Sequence, residues 1–153
     1  PVIITRGNNV YGPRQYPEKL IPKFINLLLD DKKCTIHGQG ETERSFLYVD
    51  DVVKAFEIIL SKGKIGEIYN IGTNYEYSVM EITRRLVKLI HNCDMNEDRH
   101  FQKYIDFVED RKYNDKRYNI SFNKLLNLGW KQDIFIDDGL KKTLDFYNKI
   151  FEK

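Results

Sequence analysis

The residues best suited to chemistry lie in short polar segments, each of which follows a strand-like run. They are Gly7, Asn8 and Asn9, then His37 and Arg44, then Asn70, and finally the charged and aromatic run 109–118. Asparagine side chains offer two amide donors and a carbonyl acceptor, and glycine lets a ligand approach the backbone. This set suits a polyhydroxylated ligand. Asn8 and Asn9 could equally form a plain turn between a strand and a helix.

Two arginines could hold a diphosphate group. Guanidinium groups bind phosphates through paired, charge-assisted hydrogen bonds, which ammonium groups cannot match. Arg44 and Arg111 both follow strand-like segments, and strand ends converge in α/β folds. Together with the amides they predict a site for a nucleotide sugar. Each arginine also has a simpler interpretation, because acidic residues flank both and could leave them solvated or ion-paired.

Three further candidates carry two interpretations each. His37 could lie against a base or simply be a surface histidine, and Asn70 could pair with a base edge or cap its strand. Tyr118 could face the site or belong to the core.

Composition narrows the class of protein. The chain has 153 residues and a net charge of +2, with lysine and glutamate mixed and no basic stripe, so a nucleic-acid partner is not expected. No apolar run is long enough to span a bilayer and no signal peptide opens the sequence, so we expect a soluble cytoplasmic protein. The cysteines and histidines are scattered, which predicts neither a disulfide nor a metal site.

Strand and helix patterns alternate, which predicts an α/β fold with helices on a small sheet. We expect strands at 1–4, 34–37, 44–49, 67–72 and 104–108, and helices at 18–29, from 50 to 62, from 78 to 90, after 121 and from 136. Asp50 and Ser121 are the predicted N-caps of their helices, and Ser78 with Glu81 predicts a capping box. The helix after Asp50 should bury one apolar face, made of Val52, Val53, Phe56, Ile59 and Leu60.

The opening run Pro1–Ile4 reads as a buried strand that has no neighbouring partner in sequence. An unpaired apolar strand favours aggregation. We therefore expect either that another strand of the chain covers it or that the chain is the C-terminal part of something longer.

Several motifs resemble the nucleotide-sugar 4,6-dehydratases of the extended short-chain dehydrogenase/reductase superfamily. They are Thr-Arg-Gly-Asn-Asn-Val-Tyr-Gly-Pro at 5–13, Gln-Tyr-Pro-Glu-Lys-Leu-Ile-Pro-Lys-Phe at 15–24, Arg-Ser-Phe-Leu-Tyr-Val-Asp-Asp-Val at 44–52, Tyr-Asn-Ile-Gly-Thr at 69–73, Asp-Arg at 110–111, Asn-Asp-Lys-Arg-Tyr at 114–118 and Leu-Gly-Trp at 128–130. These landmarks span nearly the whole chain in the order found in the family. The Tyr-Pro-Glu-Lys-Leu-Ile-Pro segment is the most specific, because it separates the dehydratases from the related epimerases.

The resemblance implies a substrate site but no catalytic residue in this chain. The implied contacts to the sugar and the diphosphate are Asn9 near both, Lys19 near the diphosphate, Arg44 and Arg111 on it, and Tyr118 close to the hexose. The implied contacts to the nucleotide are Leu20 and Pro22 in its pocket, Ile36 and His37 around the base, and Asn70 near the nucleoside. Glu18 and Lys19 would face the active site, and Asn114 would be a further substrate contact. Asn114 and Ser45 depart from the bacterial dTDP-glucose enzymes and favour uracil as the base.

The resemblance also implies NAD as cofactor, with only Gly7 and Asn8 of this chain near the nicotinamide. The family's glycine-rich NAD-binding turn and its Tyr-x-x-x-Lys pair have no counterpart here. The chain thus resembles the C-terminal half of an extended Rossmann-type fold. Residues 1–13 would end the NAD-binding domain and residues 14–153 would form the nucleotide-sugar-binding domain.

The activity implied for the parent protein is the conversion of dTDP-glucose or UDP-glucose to the 4-keto-6-deoxy sugar, as in rhamnose biosynthesis. We expect this chain alone to be inactive, and a homodimer of the full-length protein stays open. The alternatives are an epimerase or decarboxylase of the same superfamily, a non-catalytic nucleotide-sugar-binding module, and a remnant that binds nothing.

Overall fold

The structure is a computed structural model that describes residues 1–92, 101–110 and 120–151; for residues 150 and 151 it describes the backbone only. Its elements run in the order β1 (Ile4–Gly7), β2 (Asn9–Tyr11), α1 (Leu20–Leu29), β3 (Cys34–His37), β4 (Glu43–Tyr48), α2 (Val49–Lys62), β5 (Ile68–Ile71), β6 (Glu76–Ser78), α3 (Val79–His91), β7 (Ile105–Val108), α4 (Asn123–Asn127) and α5 (Ile136–Phe151). The predicted α/β class is confirmed. No helix within the described ranges is long and apolar enough to cross a membrane.

The strands form three small sheets rather than the single sheet that we expected. β1 pairs with β5 and β3 pairs with β7, both in parallel. β4 pairs in parallel with β2 and antiparallel with β6. Parallel strands need crossover connections, which the helices supply. Asn8 lies between β1 and β2, where the chain leaves one sheet and joins the next.

Two apolar clusters meet at strand β4. Phe46 and Tyr48 belong to a cluster built by α1, α3 and α5, whereas Leu47 belongs to a second cluster with residues of α2 and β5 and with Trp130. Successive side chains of a strand point to opposite faces. The alternation along β4 therefore joins the two clusters. It also holds in place the strand that carries Arg44.

The first strand differs from the prediction. It begins at Ile4, and Val2 and Ile4 are 67% and 48% exposed, so the opening run is not buried. β5 pairs with one edge of β1, so another strand of the chain does cover this strand, which was the first of the two alternatives. Much of the segment 5–13, which follows the predicted first strand, is extended backbone in β1 and β2. The chain turns only at Gly12 to Arg14, where Arg14 has a φ of 63°.

Helix starts are partly as predicted. The Ser78–Glu81 capping box is present in both directions, with 2.7 and 3.1 Å hydrogen bonds. α2, in contrast, begins at Val49 with Tyr48 as N-cap, and Asp50 lies in its first turn. α1 begins at Leu20 rather than Glu18, and Phe122 replaces Ser121 as the N-cap of α4.

The buried face of α2 is not the one predicted. Its buried residues are Asp51, Val52, Ala55 and Ile59, and the expected core residues Val53, Phe56 and Leu60 are 49%, 43% and 82% exposed. The prediction joined two neighbouring apolar stripes into one face. Only the stripe that faces β4 and β5 packs inside this chain.

Tyr11, which follows the asparagines, is a core residue and not a ligand-facing ring. Its side chain is 2% exposed, its hydroxyl donates to the carbonyl of Ile136 at 3.4 Å, and burial raises its pKa well above the ordinary value. The ring fits against Gly139 of α5, where a Cβ would overlap the Tyr11 hydroxyl and lie 2.7 Å from its Cζ.

Gly139→Ala is therefore expected to destabilise the fold by about 1–3 kcal/mol, the usual cost of overpacking a core. Alanine in place of a glycine inside a helix otherwise stabilises by about 0.5–1 kcal/mol, so the sign of the change is diagnostic. Chemical denaturation measures it. Lys142→Ala, at an exposed position of the same helix, is the control, and a Gly139→Ala variant as stable as the parent would contradict the packing.

Cys34 is completely buried, and burial raises the pKa of its thiol to about 12. The folded state therefore keeps this proton when the unfolded chain loses it. The stabilising contribution is complete below the unfolded value of 9.0 and is lost as the pH rises from there toward about 12.

In a Cys93→Ser background, we expect Cys34 to react with iodoacetamide far more slowly in the native protein than in urea at pH 8, because the thiolate is the nucleophile. Mass spectrometry of timed samples measures the two rates. Equal rates in the two states would contradict the burial of this side chain.

Candidate functional site

A cavity of about 580 Å³ opens where β2, the start of α1, β3 and β4 meet. Its volume is that of a small-molecule site. Seven of the residues predicted from the sequence line it: Asn8, Asn9, Glu18, Lys19, Leu20, His37 and Arg44. Segments that are distant in the chain are thus brought together around one space.

The two asparagines are held by the sheets on either side of them. The backbone N–H of Asn8 donates to the carbonyl of Ile71 at 3.0 Å, and its side-chain oxygen accepts from the N–H of Thr73 at 3.3 Å. Asn9 is in register with Phe46 in the β2–β4 pair. Asn8 therefore ties the cavity to β5, while Asn9 lies beside the strand that carries Arg44.

The start of α1 forms the opposite wall. Gln15 donates from Nε2 to the carbonyl of Val10 at 2.7 Å, which closes the turn after β2. Lys19 is the N-cap residue of α1 and makes no side-chain capping bond. Lys19 and Lys23 both line the cavity, and with Arg44 they set three cations against the single carboxylate of Glu18 among the described lining residues. Such an excess of positive charge favours an anionic ligand.

Arg44 is half-buried, and its Nη1 donates to the carbonyl of Glu43 at 2.7 Å. This contact uses one of the five guanidinium donors. Ser45, the next residue, is buried, and Phe46 returns to the cavity wall. The alternation along β4 therefore directs Arg44 and Phe46 to the same space.

β3 contributes two side chains to the cavity wall, and only one of them, His37, was predicted. Thr35 and His37 line the cavity, whereas the side chain of Ile36 is fully buried in the core. His37 contacts the carbonyl oxygen of Glu109 through Nδ1 at 3.3 Å. Because strand side chains alternate, Ile36 can present only its backbone to a base. Pro22 likewise packs among the buried residues of α1 and is not in the lining.

Asn70 lies apart from the cavity. It is opposite Arg6 in the β1–β5 pair, and its Nδ2 donates to the carbonyl of Ser121 at 2.7 Å. The bond ties β5 to the segment before α4, as in the simpler interpretation of this residue. A role near the nucleoside stays a prediction.

Three predicted site residues, Arg111, Asn114 and Tyr118, lie outside the described residues. That Arg111 and Arg44 together bind a diphosphate therefore stays a prediction. Within the described part of the chain, no group of three or more His, Cys, Asp or Glu side chains is arranged to hold a metal ion.

Sequence reasoning missed several lining residues. Thr35 could have been found from the strand alternation that also exposes His37, and Lys23 lies one helical turn after Lys19. Gln15 and Arg6 carry no such signal. Arg6 lines a smaller adjoining cavity of about 270 Å³, which shares Asn8, Asn9 and Arg44 with the larger one.

A separate cavity of about 670 Å³ lies between α3 and α5, lined by Arg85, Lys88 and Asp137 among others. It contains none of the predicted site residues. Its larger volume does not make it the better candidate, because Arg85 is already paired with Asp137 at 2.5 Å.

Comparison with known proteins agrees with the resemblance. Residues 1–72 match the sequence model of the NAD dependent epimerase/dehydratase family. A solved dTDP-glucose 4,6-dehydratase from Bacillus anthracis, in complex with NAD, superposes with a TM-score of 0.87 at 37% identity, over 99% of this chain and 46% of that one. The chain is thus similar to this family over residues 1–72, and to the solved dehydratase over nearly all of its own length.

Several of the proteins that it resembles in sequence are nucleotide-sugar 4,6-dehydratases, as predicted. It is 50% identical to mouse dTDP-D-glucose 4,6-dehydratase over 99% of this chain and 42% of the mouse protein. It is 48% identical to the trifunctional UDP-glucose 4,6-dehydratase/UDP-4-keto-6-deoxy-D-glucose 3,5-epimerase/UDP-4-keto-L-rhamnose-reductase of Arabidopsis thaliana, over 97% of this chain and 21% of that protein. The chain thus spans less than half the length of these relatives.

Proposed function

We propose that this chain is the substrate-binding part of an NDP-glucose 4,6-dehydratase, acting on dTDP-glucose or UDP-glucose. The observation that carries the proposal is the convergence of Asn9, Lys19 and Arg44 on one cavity of about 580 Å³. The relatives supply the class of ligand, and the excess of positive charge suits its diphosphate.

In this assignment the residues of the chain bind and orient the substrate. Arg44, Lys19 and Arg111 hold the diphosphate, Asn9 lies at the junction of phosphate and sugar, and Tyr118 lies near the hexose. Thr35, His37 and the backbone of Ile36 frame the base, with Leu20 on the cavity wall nearby. Glu18 faces the sugar side of the cavity, and Asn114 completes the substrate contacts.

NAD, when bound, supplies reversible hydride transfer between C4 and C6 of the hexose while water is lost across C5 and C6. Gly7 and Asn8 are suited to touch the nicotinamide, because a Cβ at Gly7 would meet nothing closer than the Ile71 carbonyl oxygen at 4.0 Å. That leaves open space beside the backbone. We propose that the rest of the NAD site lies outside these 153 residues.

The first strand supports that division of the cofactor site. β1 is paired on one edge only among the described strands; Val2, just before it, and Ile4, its first residue, are 67% and 48% exposed. Parallel sheets are almost always larger and covered on both faces. A further parallel strand beside β1, from a Rossmann-type NAD-binding unit, would complete the sheet. On this basis residues 1–13 close the NAD-binding domain and 14–153 form the substrate domain.

We expect the chain by itself to bind a nucleotide sugar without turning it over. Isothermal titration calorimetry with UDP-glucose and dTDP-glucose tests binding and ranks the two bases; the departures at Ser45 and Asn114 favour the uracil nucleotide. Product analysis by NMR tests turnover. Heat of binding with no 4-keto-6-deoxy sugar is the expected result. Turnover by the isolated chain would contradict the proposed division of the NAD site.

Two alternatives are separated by related measurements. An epimerase, which the family name also covers, or a decarboxylase would give a different product when the protein is assayed together with its NAD-binding part. A non-catalytic binding module would bind the sugar nucleotide yet yield no product in that assembly either. We further propose a cytoplasmic location, which cell fractionation tests.

A further inference from the structure

The cavity of about 270 Å³ beside the main cavity adds a residue that the proposed function does not use. It lies where β1 passes into β2, and its wall includes Arg6, Asn9, Arg44 and Ser45. Arg44 and Asn9 also line the larger cavity. The two spaces are therefore neighbours that share one guanidinium group.

The described lining of this smaller cavity is positively charged. Two arginines line it, and its other described lining residues, Gly7, Asn8, Asn9, Ser45 and Ile120, carry no carboxylate. The Arg6 side chain is exposed and makes no hydrogen bond or ion pair with the described part of the chain. Arg85 shows the contrast, because Asp137 neutralises it at 2.5 Å.

An anion bound between two guanidinium groups gains charge-assisted hydrogen bonds and favourable Coulomb energy from both. Among the described residues, none uses the five guanidinium donors of Arg6. A hydroxyl at Ser45 and the amide of Asn9 lie on the same wall. The group that fits this arrangement is a phosphate of a diphosphate ester.

We propose that Arg6 is a second guanidinium for a diphosphate ligand and grips it together with Arg44. The inference rests on the proposed function for its ligand class. A diphosphate ester could come from either of two sources: the nucleotide sugar in the main cavity, or the pyrophosphate of a dinucleotide approaching along Gly7. The chemistry is the same in both cases, and the experiment distinguishes them.

The test titrates the chain and its Arg6→Gln variant with UDP-glucose and, separately, with NAD. We expect about 5- to 30-fold weaker binding of one of the two ligands, as for the loss of a charge-assisted hydrogen bond. The affected ligand identifies the source. Arg85→Gln makes the same chemical change at a paired arginine and should leave both affinities unchanged.

Arg6→Lys separates charge from geometry, because an ammonium keeps the charge and lacks the planar pair of donors. It should recover part of the lost affinity. Thermal melts of all variants check folding. Unchanged affinity of Arg6→Gln for both ligands would overturn the inference while the main proposal stands.

If the unmodified chain binds neither ligand, the proposed function fails separately. Inorganic pyrophosphate then tests Arg6 directly. Binding of pyrophosphate that Arg6→Gln weakens supports the two-arginine site. Absence of binding, or binding that the variant leaves unaltered, contradicts it.

Discussion

Replacing Arg44 with glutamine is expected to weaken the binding of UDP-glucose or dTDP-glucose about 30- to 150-fold, which corresponds to about 2–3 kcal/mol. Arg44 is the charged residue common to the described linings of both cavities, and its Nη1 donates to the Glu43 carbonyl at 2.7 Å. Glutamine removes the charge and the paired donors that match a phosphate. Isothermal titration calorimetry measures the loss.

Two companion variants make the result specific. Arg44→Lys keeps the charge and should recover only part of the affinity, since an ammonium cannot bind in a bidentate manner. Arg85→Gln should bind like the parent, because that guanidinium serves Asp137 on another face. An Arg44→Gln variant that binds as tightly as Arg85→Gln would remove Arg44 from the site.

Asp51→Ala is expected to destabilise the fold by about 2–5 kcal/mol, because two backbone donors in this buried site lose a charged acceptor. Asp51 is fully buried, and its Oδ2 accepts from the N–H groups of Asp133 and Ile134 at 3.2 and 2.8 Å. Its carbonyl also accepts from Trp130 Nε1 at 2.9 Å. Removing the carboxylate leaves two backbone donors without their acceptor and loosens the segment that precedes α5.

The neighbouring Asp50 is a matched control. It lies in the same first turn of α2 but is exposed, so Asp50→Ala should cost no more than about 1 kcal/mol through the helix dipole. Asp51→Asn keeps an acceptor oxygen and should fall between the two. Urea denaturation of the three variants tests this order. Equal losses for Asp50→Ala and Asp51→Ala would contradict the buried network.

The sequence predicted correctly a feature that depends only on residues close together in the chain. The Ser78–Glu81 box needs only residues of one helical turn, and it is present as expected. The choice between Asp50 and Asp51 depends instead on where the segment around Asp133 docks, more than 80 residues away. No local rule contains that contact, so the wrong aspartate was given the structural role.

The same distinction applies to the site. Motifs brought Asn9, Lys19, His37 and Arg44 to attention, and the fold gathers them on one cavity. The side chain of Ile36 is buried and does not line the cavity, because strand alternation decides which side chains of a motif face it. Tyr11, two residues after Asn9, does not join them, because its ring packs against α5 and its hydroxyl donates to the Ile136 carbonyl. Arg6 was overlooked because it shares a cavity with Arg44, and the two residues lie on strands that are far apart in the sequence.

The crystal structure of this chain with UDP-glucose is the most direct test of the proposed site. We predict diphosphate oxygens about 3 Å from the Arg44 guanidinium, with Asn9 alongside, the uracil against Thr35 and His37, and Arg111 on the same side of the ligand. UDP-glucose bound instead between α3 and α5, or Arg111 and Arg44 on opposite sides of the molecule, would contradict the proposed site.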